Sequence, residues 1–225
     1  MTAATEGAGH GTRQTGRSTV GAGYFDGQYA ASPDPWGFTS RWYERRKYAI
    51  SVAMLPAPRY RSGFEPGCSI GELTAMLAPR CDALLSCDVS AAAVTAAARR
   101  VAAFPQVRVE RRAVPGGWPA GPARFDLVVF SEMLYYLGDD DLRQALDLAT
   151  TALSPGGTLL AVHWRHPVAA YPGTGDEVHE AIAARPELTL TADHREPDFL
   201  AQVYRAVPAG TDPASVSVAA AEGLT

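Results

Sequence analysis

Apolar positions along this chain come in short runs and alternations separated by stretches of helical spacing. The runs are Tyr60 to Phe64, Leu84-Leu85, the alternating Val107-Arg108-Val109-Glu110-Arg111, Phe125 to Phe130, and Leu159 to Val162. Phe125 to Phe130 is nearly continuous, as expected of a strand buried on both faces of a parallel sheet. Between the runs, apolar side chains recur every three to four residues. They do so at Tyr43, Ile50 and Met54 with Lys47 on the same face, at Leu73 to Leu77, at Val94, Ala97, Ala98 and Val101, and at Leu142, Ala145, Leu146, Ala149 and Leu153. Each set predicts an amphipathic helix. Pro56 and Pro58 end the first, and Ser154-Pro155-Gly156-Gly157 stops the last. A short helix is predicted near Glu177 to Ala184, and a final strand pair over Leu188 to His194 and Phe199 to Val207.

Strands alternating with helices give right-handed β-α-β units, so the fold class is α/β, an open, doubly wound, Rossmann-like sheet. The 225 residues suit one domain, placed at 31–207 with an N-terminal lid helix. Residues 1–30, rich in Gly, Thr, Ala and Ser, read as a mobile tail, and 208–225 as a second. The net charge of -4, with basic residues scattered, argues against a nucleic-acid partner. The one dense cluster, Arg45-Arg46-Lys47, reads as a solvated helix face. No apolar run approaches the ~20 residues of a membrane span, and no signal-peptide core is evident, so a cytoplasmic location without a membrane partner is expected. Cys68, Cys81 and Cys87 lack metal-ligand spacing, and no metal is expected.

The chemistry concentrates in Glu65-Pro66-Gly67-Cys68-Ser69-Ile70-Gly71, where a strand turns sharply into a helix. A dinucleotide loop needs a second glycine for the pyrophosphate, and Ser69 stands at that position, so a nicotinamide-type oxidoreductase is disfavoured. Glycines serving only tight packing remain an alternative. Asp88, with Val89 beside it, follows the loop by one helix and one strand, where nucleoside-binding α/β folds engage the ribose hydroxyls with a carboxylate. It would equally cap the next helix. Glu65, Asp88, Ser131 and His163 each lie at or past a strand end and should converge on one crevice. Tyr43 and Lys47 are candidates to close over the carboxylate of a cofactor, with a solvated cation as the alternative for Lys47.

Glu65-x-Gly67-x-x-x-Gly71 resembles the first motif of class I S-adenosylmethionine-dependent methyltransferases. The resemblance implies a seven-stranded, mostly parallel sheet with a final antiparallel strand. It also implies a cofactor site built from Glu65 (near the ammonium), Gly67, Cys68, Ser69, Gly71, Asp88 and Val89. Ala113-Val114 occupies the place where that family often carries an acid for the adenine, so contacts there would come from the backbone. Asp34-Pro35-Trp36, Glu132-Met133-Leu134-Tyr135-Tyr136-Leu137 and Ser154-Pro155-Gly156-Gly157 narrow the resemblance to nodulation protein S-like N-methyltransferases of chitooligosaccharide backbones. That group implies Trp36 at the cofactor and a small-molecule acceptor, an amine in the leading reading and a hydroxyl or carboxyl in the alternative. A protein that binds the cofactor without chemistry is the third reading. His163 and Glu132 are the candidate bases; a satisfied strand-end histidine, and a partner of Arg45, Arg46 or Lys47, are the respective alternatives. Tyr135, Tyr136, Trp164 and His166 are expected at the acceptor.

Overall fold

The computed structural model describes residues 16–120, 124–208 and 210–225. Seven strands form one sheet in the order β3-β2-β1-β4-β5-β7-β6. They are β1 (Gly63–Pro66), β2 (Leu84–Asp88), β3 (Val107–Arg111), β4 (Phe125–Ser131), β5 (Leu153–Trp164), β6 (Leu188–Arg195) and β7 (Phe199–Ala206). β1 to β5 pair in parallel, and β7 runs antiparallel to both β5 and β6, as the resemblance implied. The chain leaves β1 for β2 and β3 on one side and returns to β4 on the other. That reversal opens a crevice at the strand carboxyl ends.

Side-chain alternation splits the core into two layers. Val128, Phe130, Leu159 and Ala161 pack with Ala145, Leu146 and Ala149 of α5 (Asp139–Ala152) and with Val178 and Ile182 of α6 (Gly175–Ala183). Leu127, Val129, Leu160 and Val162 face Leu73 and Leu77 of α3 (Glu72–Leu77) and Tyr48 of α2 (Trp42–Ala53). Helix α4 (Ala91–Arg100) sets its buried Ala97 against the glycine loop.

Four expectations are corrected. Residues 16–30 are no tail: they form an arm ending in α1 (Ala22–Ala31), while residues 1–15 lie outside those described. Arm and body are joined by Val20 N–H donating to the Tyr136 carbonyl at 2.8 Å, Gly138 N–H donating to Thr19 Oγ1 at 2.8 Å, and Arg17 ion-paired with Asp139 and Glu177. Residues 213–216 form a helical turn and α7 (Val218–Ala221) follows, so the C-terminal stretch also carries structure. The buried face of α2 is Glu44, Lys47, Tyr48 and Ser51, one step round from the predicted face, and Lys47 is therefore not solvated. Strand β5 starts earlier than the Pro-Gly-Gly stop suggested. It pairs Leu153 with Phe125, and the pairing shifts register before resuming at Leu127 and Thr158.

Candidate active site

A cavity of about 790 Å³ opens at the carboxyl ends of β1, β2 and β4. One half is built on the glycine loop. Gly67 has φ +75°, and a Cβ there would stand 2.8 Å from Met133 Cβ, so only glycine fits. Gly67 N–H and Cys68 N–H both donate to the Cys87 carbonyl, at 2.7 and 2.9 Å, tying the loop to the end of β2. Asp88 holds the loop from the other side: its Oδ2 accepts from Ser69 N–H and its Oδ1 from Ser90 N–H, both at 2.9 Å. Burial raises the Asp88 carboxyl above its ordinary value despite those bonds. Asp88 is thus both a cavity wall and the support of the loop.

Glu65, at the end of β1, is almost wholly buried. Its Oε2 accepts from Thr74 Oγ1 at 2.7 Å and Ser86 Oγ at 2.8 Å, leaving Oε1 for a ligand. Burial pushes its carboxyl up to about 7 against those two hydroxyls. Cys68 lines the cavity as a neutral thiol, held protonated by burial and by the nearby Glu65 and Asp88 carboxylates. Val89, Ala113 and Val114 form the wall beyond Asp88, with Arg112 beside them. Trp36 and Ser131 also line the cavity. Gly71 does not. Its φ is +80° and its Cβ would meet Ala97 Cα at 2.9 Å, so this glycine serves the packing of the loop on α4.

The other half is organised by Glu132, a non-glycine residue at φ 55°. Its Oε1 accepts from Lys47 Nζ at 2.5 Å; its Oε2 accepts from Tyr135 Oη at 2.6 Å and from Trp164 N–H at 2.9 Å. Lys47 Nζ also lies 2.8 Å from Glu44 Oε2. Burial alone would lower the Lys47 ammonium, but Glu132 and Glu44 outweigh it and hold it above its ordinary value. Tyr135 stacks on Tyr171 with ring centroids 5.4 Å apart and planes 9° from parallel. Tyr43 meets Trp164 edge to face at 5.5 Å. From the arm, Phe25 packs on Tyr136 at 4.9 Å, and Tyr29 Oη lies 2.5 Å from Ser69 Oγ.

Glu65, Gly67, Cys68, Ser69, Asp88, Val89, Ala113, Val114, Ser131, Glu132, Trp36, Tyr43, Lys47, Tyr135, Tyr136 and Trp164 therefore share one cavity. His163 and His166 do not. His163 is sealed in the interior, its Nδ1 3.1 Å from His179 Nε2, and burial holds it well below its ordinary pKa. His166 is an outer residue, its Nε2 2.8 Å from Asp198 Oδ1. Lys47 is committed to two carboxylates. Sequence reasoning missed the arm: Thr19, Val20, Phe25 and Tyr29 line the cavity, as does Tyr171. The one sequence signal was Tyr24, Phe25 and Tyr29, three aromatics in an otherwise Gly- and Ala-rich stretch. No group of His, Cys, Asp and Glu that would hold a metal occurs among the described residues. No helix among them is long and apolar enough to cross a membrane.

The sequence profile of nodulation protein S (NodS) matches residues 27–183, which include the glycine loop, Asp88, Glu132 and Trp164. The chain belongs to the nodulation protein S family. Nodulation protein S of Rhizobium tropici is 31% identical over 142 residues, 58% of this chain; the chain spans 55% of that relative's length. A Pseudomonas syringae protein of solved structure, named only as a methyltransferase, is 47% identical, with a TM-score of 0.65, over 73% of this chain and 99% of its own. The N-methyltransferase NodS of Bradyrhizobium japonicum, solved with S-adenosylhomocysteine, superposes with a TM-score of 0.74. It covers 83% of this chain and 99% of its own at 24% identity, a likeness of fold. The NodS family is one of S-adenosylmethionine-dependent methyltransferases, and the residues here fit that cofactor. The cavity presents two buried carboxylates, Glu65 and Asp88, a donor set that suits an ammonium and a pair of hydroxyls. Tyr43 Oη, a buried hydroxyl with no protein partner, also lines this cavity.

Proposed function

We propose that the protein transfers a methyl group from S-adenosylmethionine to the amine of a small molecule, an amino sugar or a related deacetylated metabolite. The observation that carries this reading is the division of one cavity by Glu132. On one side lies the loop with Glu65 and Asp88; on the other lies an aromatic wall of Tyr135, Tyr171 and Trp164, suited to the apolar face of a sugar ring. When bound, the cofactor supplies an electrophilic methyl on a sulfonium.

The chain's own residues bind and orient. Glu65 and Asp88 hold the cationic and ribose ends, while the aromatic walls present the acceptor and exclude water. Holding nucleophile and methyl carbon in attack geometry is worth about 7 to 11 kcal/mol, so positioning supplies most of the catalysis. Glu132, bonded to Lys47, Tyr135 and the Trp164 amide, is an anchor rather than a base. Acidic residues outnumber basic ones along the wall, with Glu44, Glu65, Asp88, Glu132 and Asp141 against Arg41, Lys47 and Arg112, which favours an amine over an anionic acceptor.

The test is incubation with methyl-labelled S-adenosylmethionine and two matched acceptors, a chitooligosaccharide with one free amine and its fully N-acetylated counterpart. Label on the amine alone is expected. Equal label on both would make the acceptor a hydroxyl, and label on neither would refute the amino-sugar assignment. In parallel, S-adenosylhomocysteine is expected to raise the melting temperature and NAD to leave it unchanged.

A further inference from the structure

His163 and His179 are two buried histidines that touch no part of the cavity, yet they lie on an unbroken hydrogen-bond chain reaching its wall. Leu134 N–H donates to His163 Nε2 at 3.4 Å, a long bond; His163 Nδ1 lies 3.1 Å from His179 Nε2; His179 Nδ1 lies 2.6 Å from Gln202 Oε1. Gln202 is oriented by its own partners, Nε2 donating to Asp193 Oδ1 at 3.0 Å and Oε1 accepting from Tyr204 Oη at 2.7 Å. The chain thus runs from α6 and β5 across β7 to Asp193 on the outer strand, β6.

Only one arrangement of protons satisfies every member. Gln202 presents an oxygen, so His179 carries its proton on Nδ1. A neutral His179 then offers a lone pair at Nε2, so His163 also carries its proton on Nδ1. That leaves His163 Nε2 bare to accept from Leu134. An added proton on either ring gives the same result: His163 Nε2 becomes an N–H facing the Leu134 N–H, and Leu134 loses its acceptor. Leu134 opens the helical turn Leu134–Tyr136, which carries Tyr135 and Tyr136 to the cavity, and the Tyr135 ring stands edge-on to His163 with centroids 5.5 Å apart.

We propose that His163 and His179 are positioning residues: as a neutral pair in a single tautomeric state they hold the Leu134–Tyr136 turn, and through it the aromatic wall of the acceptor half. This role rests on the acceptor reading above only for the name of that half; the turn and its donor do not depend on it. The groups that face the pair are Lys47 on α2 and Tyr135 toward His163, and Asp176 on α6 itself with Asp193 and Arg195 on β6 toward His179. Burial leads in keeping both rings neutral, and Lys47 and each other add to this for His163.

The test uses the full chain saturated with S-adenosylhomocysteine. Long-range nitrogen–proton correlation at pH 7.5 should show both rings protonated at Nδ1 and bare at Nε2; a proton on His163 Nε2 overturns the proposal without any variant. In His163→Leu, hydrogen exchange of the Leu134 to Leu137 amides should quicken roughly five- to tenfold relative to wild type, about the worth of one hydrogen bond. His163→Gln, which restores an acceptor at the Nε2 position and cannot titrate, should return exchange to the wild-type rate. The S-adenosylhomocysteine dissociation constant should stay within about twofold in both. Unchanged exchange in His163→Leu, or collapse of cofactor affinity in either variant, overturns the positioning role. A failed methyl-transfer assay bears on the proposed acceptor alone, since none of these readouts needs one.

Discussion

Lys47 Nζ and Glu132 Oε1 meet at 2.5 Å across the wall of the cavity, with Glu44 Oε2 on the far side of the same ammonium at 2.8 Å. One cation thus bridges two buried carboxylates and ties α2 to the backbone turn at which Glu132 adopts φ 55°. Removing the cation would leave both acids uncompensated. Lys47→Met is therefore expected to cost about 3 to 5 kcal/mol in a urea titration, and Glu132→Gln distinctly less, because the amide oxygen still accepts from Tyr135 or Trp164. Equal costs for the two would mean that the ion pair is not the anchor.

Asp88 couples loop support to ligand binding. Two backbone amides donate to its carboxylate, and hydrogen bonds to a charged group are worth about 1.5 to 3 kcal/mol each. Asp88→Ala should lower the melting temperature and weaken S-adenosylhomocysteine by tenfold or more in calorimetry. Loss of affinity with unchanged stability would show a ribose contact only; loss of stability alone would show a cap only.

The raised Glu65 carboxyl makes two opposite demands on pH. Folded Glu65 titrates at about 7 against 4.5 ordinarily, so between those values the folded state binds more protons than the unfolded state. Its contribution therefore lowers stability as pH rises through that window, by roughly 3 kcal/mol in all, and the penalty is absent below 4.5. A ligand ammonium needs the ionised form, so S-adenosylhomocysteine affinity should fall about fivefold from pH 7 to pH 6. Glu65→Gln should flatten both profiles. Calorimetry in buffers of different ionisation heat should show protons released on binding at pH 6.5, and no release would place the titration elsewhere.

Gly71→Ala tests packing in isolation from ligand. The methyl would sit at φ +80° and 2.9 Å from the Ala97 backbone, so strain and overlap together should destabilise by about 2 to 4 kcal/mol. At a temperature where the variant is folded, its affinity for S-adenosylhomocysteine should drop only as far as the loop is displaced. Preserved stability would mean that α4 gives way easily.

The strand order, the glycine loop and Asp88 were legible because local spacing dictates them: a strand, a φ > 0 turn and an acid at the next strand end leave few alternatives. His163 was not. Neighbours on a strand face opposite sides of the sheet, and β5 delivers His163 with Leu159 and Ala161 toward α6, while Trp164 reaches Tyr43. Sequence shows the alternation but not which parity faces the cavity. The arm was illegible for another reason. Helix α1 buries no residue, and what orders this segment is long-range: Arg17 with Asp139 and Glu177, Val20 with Tyr136, Tyr29 with Ser69. Lys47 was legible as an inward candidate beside Tyr43, with solvent as the alternative; its partners, Glu44 one turn away and Glu132 85 residues on, were not, because the second contact is long-range.

The arm touches both halves of the cavity, Tyr29 at the glycine loop and Phe25 at Tyr136, yet its outer clasp is the half-exposed Arg17 guanidinium between Asp139 and Glu177. Exposed ion pairs weaken as the screening length contracts from about 30 Å at 0.01 M salt to about 3 Å at 1 M, whereas the buried Lys47–Glu132 contact is shielded from that change. Ionic strength is then a means of unfastening the roof while the floor stays intact. On the proposed reaction, spent cofactor and methylated product would both lie beneath this arm, so salt should act on the release of the two together.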